Sequence, residues 1–521
     1  MPFADCYSYH TFILPFVWEG TGERRRTMEE FVGCFRDNPH WVCTDMPDEY
    51  YIRQSPSLTD RDDALLLYKE YQYFHPFVRK AIYGFGENIV TNYSFMPEKM
   101  RNNGHYYITK GKRTFDLTLN AVNLKIFNTG IALFIMECEN RRFDTDGNRQ
   151  DDFGSVKNIN DYGMRISLPF IAEGYSICAD KLCVELPGEF RFEEDFSGYI
   201  SKAVRSDDLY DSISLTHMCD FIKDILGYGS MSRFTSKRYK EKHAFYIYPA
   251  LDDRMFVCCI VNDSGITQKM LAIRDGKYAY KKDKALAESL YEFMFIDPPT
   301  QCSCKDKGMR NELIDSHLYK RWLGEKSIYT IAAQGLMLLS DNPPYYLVES
   351  FLTEYIQMCC LSLVQRATLI HFQREASNMS ANIEKSGKAI NRVTIMKLMN
   401  LQERFVAYKS QIAFTEVSPQ EQAIEMYDMM QDVMFIERET ESLASHLESL
   451  NDAADTNLDF GFNRIALVFT WVSAFLAVMQ DAMYLFEDGD SGKAAPIIFG
   501  LVMTASLVAI TVIIFRYRRR D

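Results

Sequence analysis

Seven polar or small side chains near the C-terminus recur at alternating steps of three and four residues. They are Asn463, Ala466, Thr470, Ser473, Ala477, Gln480 and Tyr484, and Asp481 follows the sixth of them. This spacing places all seven on one face of a helix. Polar groups inside an apolar segment usually face water or a transport pathway, so the stripe predicts the lining of a pore. The alternative, that small residues only let helices pack closely, stays open.

Two apolar segments surround this stripe and follow it. Residues 464–486 and 494–515 are each long enough to cross a hydrocarbon core of ~30 Å at ~1.5 Å per residue. Residues 487–493 join them as a short acidic extracytoplasmic loop, so the two segments are predicted to be transmembrane helices in a hairpin. Because arginines dominate the tail 516–521, the positive-inside tendency places the N- and C-termini in the cytoplasm. The lipid bilayer is therefore an expected partner.

A long stalk helix is predicted to lead into the membrane. Ser418 stands as its N-cap, Pro419 in its first turn and Glu421 at the position that closes a capping box. The stalk covers residues 418–463, and the helix that continues from Pro419 to Leu485 would measure ~100 Å.

Three stalk residues are candidates for a role in conduction. Asp452 and Asp459 continue the polar face below the membrane, where they are expected to ring an inner throat and attract cations. A plain solvated face is the alternative. Gly461 lies between two phenylalanines and is predicted to be a gating hinge, or else a tolerated glycine.

The first 340 residues alternate between strand-like and helical patterns and predict a cytoplasmic α/β domain. The apolar N-terminus predicts a first strand, and Phe115, Leu117 and Leu119 alternate as a half-buried strand. The segments 244–249 and 254–261, joined by an Asp-rich turn, predict a β-hairpin. A cytoplasmic helical layer is expected over residues 341–417, in which Arg366 is expected to pair with a carboxylate.

Composition and missing motifs exclude several functions. The net charge of −13 disfavours polymeric nucleic acid as a partner but permits a small nucleotide. The sequence has no phosphate-binding loop, no HExxH motif and no Gly-x-Ser-x-Gly motif, so we do not expect an enzyme. Cys302 and Cys304 lack a second pair at zinc spacing, and we predict neither a bound metal nor a resident cofactor.

Several blocks of sequence carry a family resemblance. They are HTFILPF at 10–16, IFNTGIALF at 126–134, INDYGMRI at 159–166, LVQRATLIHF at 363–372 and the apolar, basic end APIIFGLVMTASLVAITVIIFRYRRRD. Together with the expected α/β domain, stalk and hairpin, they resemble the CorA divalent-cation transporter superfamily, and most of all the CorA-like membrane effectors of type III CRISPR systems.

This resemblance implies a fold and a function. The expected fold is a CorA-like oligomeric funnel, a homo-oligomer and most simply a pentamer, in the inner membrane of a prokaryote. The expected function is an antiviral defence channel, which opens when a nucleotide second messenger of the S-adenosylmethionine-AMP type binds the cytoplasmic domain, and which permeabilises the membrane.

One departure from the family bears on selectivity. Magnesium-transporting members carry Gly-Met-Asn at the end of the first span, where this chain has Gln480, Asp481, Ala482 and Met483. The change puts magnesium selectivity in doubt, although a divalent cation remains a possible permeant ion. A housekeeping magnesium transporter and a membrane-tethered receptor or scaffold are the alternatives.

The resembling blocks also supply candidate ligand-binding residues. Their polar members Asn128, Thr129, Gly130, Asn160 and Arg165 are predicted to line a messenger pocket. Turn-forming or structural roles are the alternative for each of them.

Overall fold

The computed structural model describes residues 6–20, 27–45, 69–85, 87–100, 103–144, 147–166, 178–187, 190–196, 219–228, 234–235, 244–386 and 392–453. The chain divides into two compact units. The first comprises Met1–His371 and Val406–Glu439, and the second comprises Phe372–Phe405 and Thr440–Asp521.

The strands are β1 Cys6–Gly20, β2 Trp41–Cys43, β3 Val90–Phe95, β4 Gly104–Lys110, β5 Arg113–Phe127, β6 Ile131–Arg141, β7 Lys181–Leu186, β8 Phe190–Asp195, β9 Phe234–Thr235, β10 Phe245–Pro249, β11 Phe256–Asn262, β12 Ile273–Arg274, β13 Lys277–Tyr278, β14 Leu318–Tyr319, β15 Ser327–Ala332 and β16 Gly335–Ser340.

The helices are α1 Met28–Arg36, α2 Pro76–Tyr83, α3 Pro97–Met100, α4 Phe153–Gly163, α5 Asp220–Leu226, α6 Ser264–Leu271, α7 Lys284–Phe295, α8 Lys307–His317, α9 Tyr345–Ser350, α10 Ile356–Ser386, α11 Arg392–Gln411, α12 Glu421–Val433 and α13 over 436–453. A π-helical segment, Phe351–Tyr355, joins α9 to α10. Two 3₁₀ turns cover Ala279–Lys281 and Leu323–Glu325.

A 14-stranded mixed sheet forms the centre of the first unit. Its main path is β14-β15-β16-β11-β1-β6-β5-β4-β7-β8, with β10 and β9 attached to β1, and β3 and β2 attached to β5. The β11–β16 and β10–β9 pairs are parallel, and the other pairs are antiparallel. β12 and β13 form a separate two-stranded sheet.

The predicted first strand is confirmed as β1, which lies in the middle of the sheet. β6 pairs with it from Cys6 to Val17, while β11 and then β10 pair with its other edge. Proline lacks the N–H that a central strand needs. Pro15 is tolerated because it falls between the residues of β1 that pair with β11 and those that pair with β10. Its carbonyl oxygen accepts a hydrogen bond from Ala250 N at 2.9 Å.

The predicted hairpin of 244–249 and 254–261 is wrong in its pairing. Both segments are strands, β10 and β11, but they do not pair with each other. β10 pairs with residues 16–20 of β1 and β11 pairs with residues 8–13. Because β1 is 15 residues long, it offers one edge to both strands in succession.

Helices cover both faces of the sheet. On the first face, residues of α1, α4, α5 and α7 join one large core with side chains from the strands, among them Phe31, Val156, Phe221 and Leu290. On the second face, α9, the π-helical segment, α10 and α12 contribute a separate set of buried residues, which includes Leu347, Phe351, Cys359, Leu363 and Tyr427. The first unit is therefore a three-layer α/β structure.

The described part of the second unit is helical. The end of α10, the start of α11 and the start of α13 each bury one stripe at steps of three and four: Phe372, Ala376, Met379; Leu398, Leu401, Phe405; Leu443, Leu447, Leu450. Arg404 of α11 pairs with Glu375 of α10, and its guanidinium lies 4.7 Å from the Phe372 ring centroid. This spacing is typical of helices that pack side by side.

The predicted CorA-like funnel, with a long helical stalk and two C-terminal transmembrane helices, is wrong for the structure described. The described residues form a large mixed sheet instead of a funnel built on helices. Among them one helix, Tyr345–Ala381, is long and apolar enough to cross a membrane, and 72% of its most apolar stretch is buried inside the protein. A helix buried in a protein core has the same length and apolar composition as a membrane-spanning helix, and the burial of Tyr345–Ala381 accounts for its apolar composition.

The stalk is also interrupted where one helix was expected. α12 ends at Val433, Phe435 has a left-handed backbone with φ of 58°, and α13 begins at 436. A left-handed residue breaks the helical ladder of hydrogen bonds. In addition, α12 packs against β15 with Met426 and Tyr427 buried, so this stretch belongs to the globular unit.

The start of that helix differs from the predicted capping box. α12 begins at Glu421, its N-cap is Gln420, and no side chain caps it. The Ser418 hydroxyl donates to Tyr73 O and accepts from Gln420 N at 3.3 Å, so Ser418 ties the preceding turn to the region of residues 69–73.

Candidate functional site

A β-bulge in β5 determines which of its polar side chains lie on the second face of the sheet. Residues Phe115, Leu117 and Leu119 join the core of the first face before the bulge, and Val122, Leu124 and Ile126 join it afterwards. The register of β5 on β6 shifts between Leu119 and Ala121. Since strand side chains alternate between faces, the extra residue keeps the apolar side in the core. Asn120, Asn123 and Lys125 therefore lie on the second face.

We call the polar residues brought together on this second face the polar row. It consists of Tyr9 and Thr11 on β1, Asn120, Asn123 and Lys125 on β5, and Glu137 and Glu139 on β6. In the sheet register Tyr9 lies opposite Glu139 and Thr11 lies opposite Glu137. Six of the seven side chains are half-buried, and Thr11 is buried.

Hydrogen bonds order the middle of the polar row. Asn120 Nδ2 donates to Glu139 Oε1 and Asn123 Nδ2 donates to Glu137 Oε1, both at 2.9 Å. Lys125 Nζ donates to Asn92 Oδ1 at 3.0 Å and to a backbone carbonyl at 3.2 Å. These contacts hold the side chains in fixed directions, which a binding site requires.

Burial makes the charges of the polar row costly. It raises the pKa of Glu137, and the hydrogen bond from Asn123 and the charge of Lys125 oppose that rise only in part. Burial likewise lowers the pKa of Lys125, and the neighbouring Cys360, Glu70, Asp45 and Glu137 oppose that fall only in part. Both charged forms lose hydration and depend on their partners, so a polar ligand would change their energies strongly.

Two further carboxyl groups lie near Lys125. Burial raises the pKa of Glu70 to about 7, although Tyr83 donates a hydrogen bond to it at 3.0 Å. Burial also raises the pKa of Asp45, which accepts from Asn92 N at 2.7 Å and Asn92 Nδ2 at 2.8 Å. One lysine is thus surrounded by several acidic groups.

The beginning of α10 lies over this part of the sheet. Cys360 is buried there, and Lys125, Glu137 and Glu70 all act on the pKa of its thiol, which burial raises to about 12. The π-helical segment Phe351–Tyr355 comes immediately before α10. Wide π-turns inside helices occur frequently at functional sites.

The chemistry of the polar row is suited to binding. Its groups are hydrogen-bond donors and acceptors, and burial raises the thiol pKa of the neighbouring Cys360, which makes that thiol a poor nucleophile. Within the described ranges, no group of three or more His, Cys, Asp or Glu is placed to hold a metal ion.

A second polar network lies in the core of the first face and has a structural role. His10 is fully buried, with Ser8 Oγ at 2.9 Å from one ring nitrogen and Asn160 Oδ1 at 2.7 Å from the other. Burial lowers the pKa of His10 to about 4. Asn140 donates to Ser8 Oγ at 2.9 Å and closes the network. A neutral histidine with both nitrogens bonded is a satisfied core residue.

Arginine–aspartate pairs at one end of the sheet are structural as well. Arg165 donates to Asp161 at 2.8 and 3.1 Å, and Arg254 forms the same kind of pair with Asp252. Burial, followed by the neighbouring Asp252, raises the pKa of Asp253 to about 7. Each of these two arginines has its own carboxylate, and an antiparallel backbone bridge between Arg165 and Arg254 joins the end of α4 to the β10–β11 turn.

The predicted ligand residues do not form one pocket. Asn128 and Thr129 lie in the β5–β6 turn, where they bond to Gln411 at 2.9 Å and Thr368 at 3.0 Å. Gly130 completes the turn with φ of 93°, a conformation that favours glycine. Asn160 belongs to the His10 network and Arg165 to the arginine–aspartate cluster, both described above.

Other predicted site residues have different outcomes. Asp452 is exposed on α13. Asp459, Gly461, Asp481 and the stripe from Asn463 to Tyr484 lie outside the described residues, as do the two apolar segments. Arg366 donates to the carbonyl of Ala333 at 3.2 Å.

The polar row has a sequence signal that the motif search missed. Glu137 and Glu139 are two residues apart in an otherwise apolar strand, and so are Asn123 and Lys125. A period of two places each pair on one face, so the interrupted strands already indicate a polar face.

In comparisons with known proteins, no family model, curated protein or solved structure matches the chain. The family resemblance therefore stays a prediction.

Proposed function

We propose that the protein is a ligand-gated membrane effector and not an enzyme. A small nucleotide-type messenger binds the first unit at the polar row, and binding opens a path for ions across the inner membrane of a prokaryote. The apolar sequence between residues 464 and 515 supports the membrane location, and the resemblance to type III CRISPR effectors supports a messenger of the S-adenosylmethionine-AMP type.

The course of α10 is the observation that carries this proposal. The helix starts beside the polar row, with Cys360 near Lys125 and Glu137, and belongs to the second unit from Phe372 onward. A helix transmits a displacement along its axis because its backbone is continuously hydrogen-bonded. A ligand that pushes or rotates the start of α10 therefore acts on an element of both units.

The energy for opening would come from the ligand. A ligand shifts an equilibrium only by its difference in affinity for the two states. A polar row whose charges are poorly hydrated in the closed state and satisfied by the ligand in the open state supplies such a difference. The π-helical segment before α10 gives the helix a place to change register.

The experiment is conductance of the purified full-length chain in planar lipid bilayers. We expect current on addition of the S-adenosylmethionine–AMP conjugate and none with AMP alone. Lys125→Met should raise the half-activating concentration about tenfold or more, because it removes an ordered charge of the binding site. Lys282→Met, at a surface pair with Asp275, is the matched control and should behave as wild type.

Two outcomes contradict the proposal. Magnesium current in the absence of any nucleotide would indicate a housekeeping transporter. Tight binding of the conjugate with a silent bilayer would indicate a tethered receptor.

A further inference from the structure

Two buried acidic side chains lie near each other at the beginning of α10. Glu70, in a helical stretch of residues 69–73, is 8% exposed, and Glu354, in the π-helical segment, is 6% exposed. Glu354 acts on Glu70 as a neighbouring charge. Two carboxylates buried side by side are unfavourable unless cations pair with them.

Neither carboxyl group forms an ion pair within the described ranges of the chain. The adjacent Lys69 is paired with Glu349 at 3.1 Å. Lys125 acts on Glu70 as a charge, but its own hydrogen bonds go to other oxygens. The two carboxyl groups are therefore most stable when one of them is neutral, that is, when the pair holds a proton.

The contacts of Thr353 show one place for this proton. Thr353 Oγ1 lies 2.7 Å from the carbonyl oxygen of Glu349 and 2.6 Å from Glu354 Oε2. A hydroxyl group has one proton to donate, and a carbonyl oxygen has none. Both contacts are hydrogen bonds only when the Glu354 carboxyl carries a proton and donates it to Thr353 Oγ1.

Glu70 is the other place for the proton. Burial raises the pKa of Glu70 to about 7; Tyr83 and Lys125 oppose that rise, and Glu354 adds to it. When two acidic groups interact, the loss of the proton belongs to the pair and not to either member alone. The folded pair thus keeps its proton below about neutral pH and loses it as the pH rises further.

The other titratable groups around the pair have pKa values far from neutrality or act equally in the variants below. Burial raises the pKa of the Cys360 thiol to about 12, and it raises the pKa of each neighbouring tyrosine above its usual value: Tyr73, Tyr83 and Tyr355. Lys125 is the cation of this group, and its charge is present in wild type and variants alike. A change between pH 6 and 8.5 that the variants abolish therefore reports on the two carboxyl groups.

The pair is also connected to α10 itself. Gln357, in the first turn of α10, hydrogen-bonds to Glu70, and Glu354 belongs to the segment that leads into this helix. The state of the pair therefore bears on how firmly the beginning of α10 is held.

We propose that Glu70 and Glu354 form a proton latch on the beginning of α10. While the pair holds one proton, it ties residues 69–73 to the π-helical segment and to Gln357. Without that proton the two buried carboxylates repel each other, and the π-helical segment with the first turns of α10 opens to solvent. This regulation goes beyond the proposed function, because it needs no ligand, but it acts on the same helix.

The experiment measures the accessibility of Cys359 and Cys360, which follow the π-helical segment and are 0% and 2% exposed. The purified full-length chain in detergent is labelled with N-ethylmaleimide at pH 6 and at pH 8.5, and peptide mass spectrometry gives the labelling rate of each cysteine. Thiols react faster at higher pH in any protein, so wild type and variants are compared at the same pH.

Glu354→Gln keeps the shape of the side chain and prevents a second negative charge. At pH 8.5 we expect Cys359 and Cys360 to react at least about tenfold faster in wild type than in this variant, and at pH 6 we expect equal rates. Glu70→Gln should give the same protection from the other side of the pair, and thermal unfolding at pH 6 verifies that both variants fold. Glu87→Gln, at an exposed pair with Lys80, is the matched control and should follow wild type.

Cys138, buried on β6, serves as the internal reference for unfolding of the whole domain. Equal labelling of wild type and Glu354→Gln at pH 8.5 would overturn the inference, as would protection by Glu70→Gln alone, which would assign the effect to a single buried carboxyl. A parallel rise at Cys138 would overturn it too, because the opening would then be global. A failure of the proposed function is a different result, since it consists of missing ligand-induced current and leaves the labelling rates as they are.

Discussion

Glu70 predicts an unusual dependence of stability on pH. Its side chain is 8% exposed, and burial raises its pKa from 4.5 to about 7 in the folded protein. The folded state then holds the proton more tightly than the unfolded state. The stabilising contribution is complete below pH 4.5 and is lost as the pH rises through about 7. Each pKa unit corresponds to about 1.4 kcal/mol, so the loss amounts to about 3 kcal/mol.

Glu70→Gln isolates this effect. Glutamine has the same shape, still accepts from the Tyr83 hydroxyl and carries no charge at any pH. The variant should melt near the wild-type temperature at pH 5 and higher than wild type at pH 8.5. For a chain of this size we expect a difference of about 3 °C.

The assay is fluorescence-detected thermal unfolding of the purified chain in detergent between pH 5 and 8.5. Glu87→Gln, an exposed carboxylate paired with Lys80, is the matched control and should follow wild type. If the Glu70→Gln and wild-type curves run parallel over the whole range, Glu70 is ionised at neutral pH and our account of this site fails.

Three further predictions concern the core. His10, with a pKa lowered by burial to about 4, contributes stability that is complete above pH 6.5 and lost as the pH falls through 4, so the melting temperature should drop over this interval and His10→Gln should flatten the drop. Gly163→Ala would place a Cβ 2.8 Å from Ile108 Cδ1, and we expect a loss of about 1–3 kcal/mol in chemical unfolding. Lys157→Met leaves Glu292, its partner at 2.6 Å, buried and unpaired, which should cost about 3–5 kcal/mol; Lys157→Met with Glu292→Leu should recover most of it.

Local patterns in the sequence predicted strands well. β1 and the alternating start of β5 lie where period and composition placed them. Pairing partners were harder, because they depend on the length of neighbouring strands. β10 and β11 look like a hairpin in sequence, yet each finds its partner on a different part of β1.

The stalk was mispredicted for a related reason. The helical pattern continues through Met434 and Phe435. Neither residue type indicates the left-handed backbone that Phe435 adopts. Burial of Met426 and Tyr427 against the sheet is a tertiary contact that a helical pattern alone does not reveal.

The polar row could be predicted from the sequence only in part. The spacing of Glu137 and Glu139 indicates a polar face on β6, and Asn123 and Lys125 indicate one on β5. That the two faces coincide depends on the bulge at Asn120, which a one-residue shift in register produces and the sequence does not mark. Glu70 is distant from Lys125 in sequence, so its proximity to Lys125 can be known only from the fold.

The most direct test of gating through the polar row compares binding and conductance on one preparation of the full-length chain. The S-adenosylmethionine–AMP conjugate is titrated by calorimetry and in planar bilayers, for wild type and for the Glu137→Gln, Glu139→Gln double variant. We predict that the dissociation constant and the half-activating concentration rise together, by about tenfold, in the double variant. An unchanged half-activating concentration in the double variant, or no current at any concentration with wild type, would contradict this account.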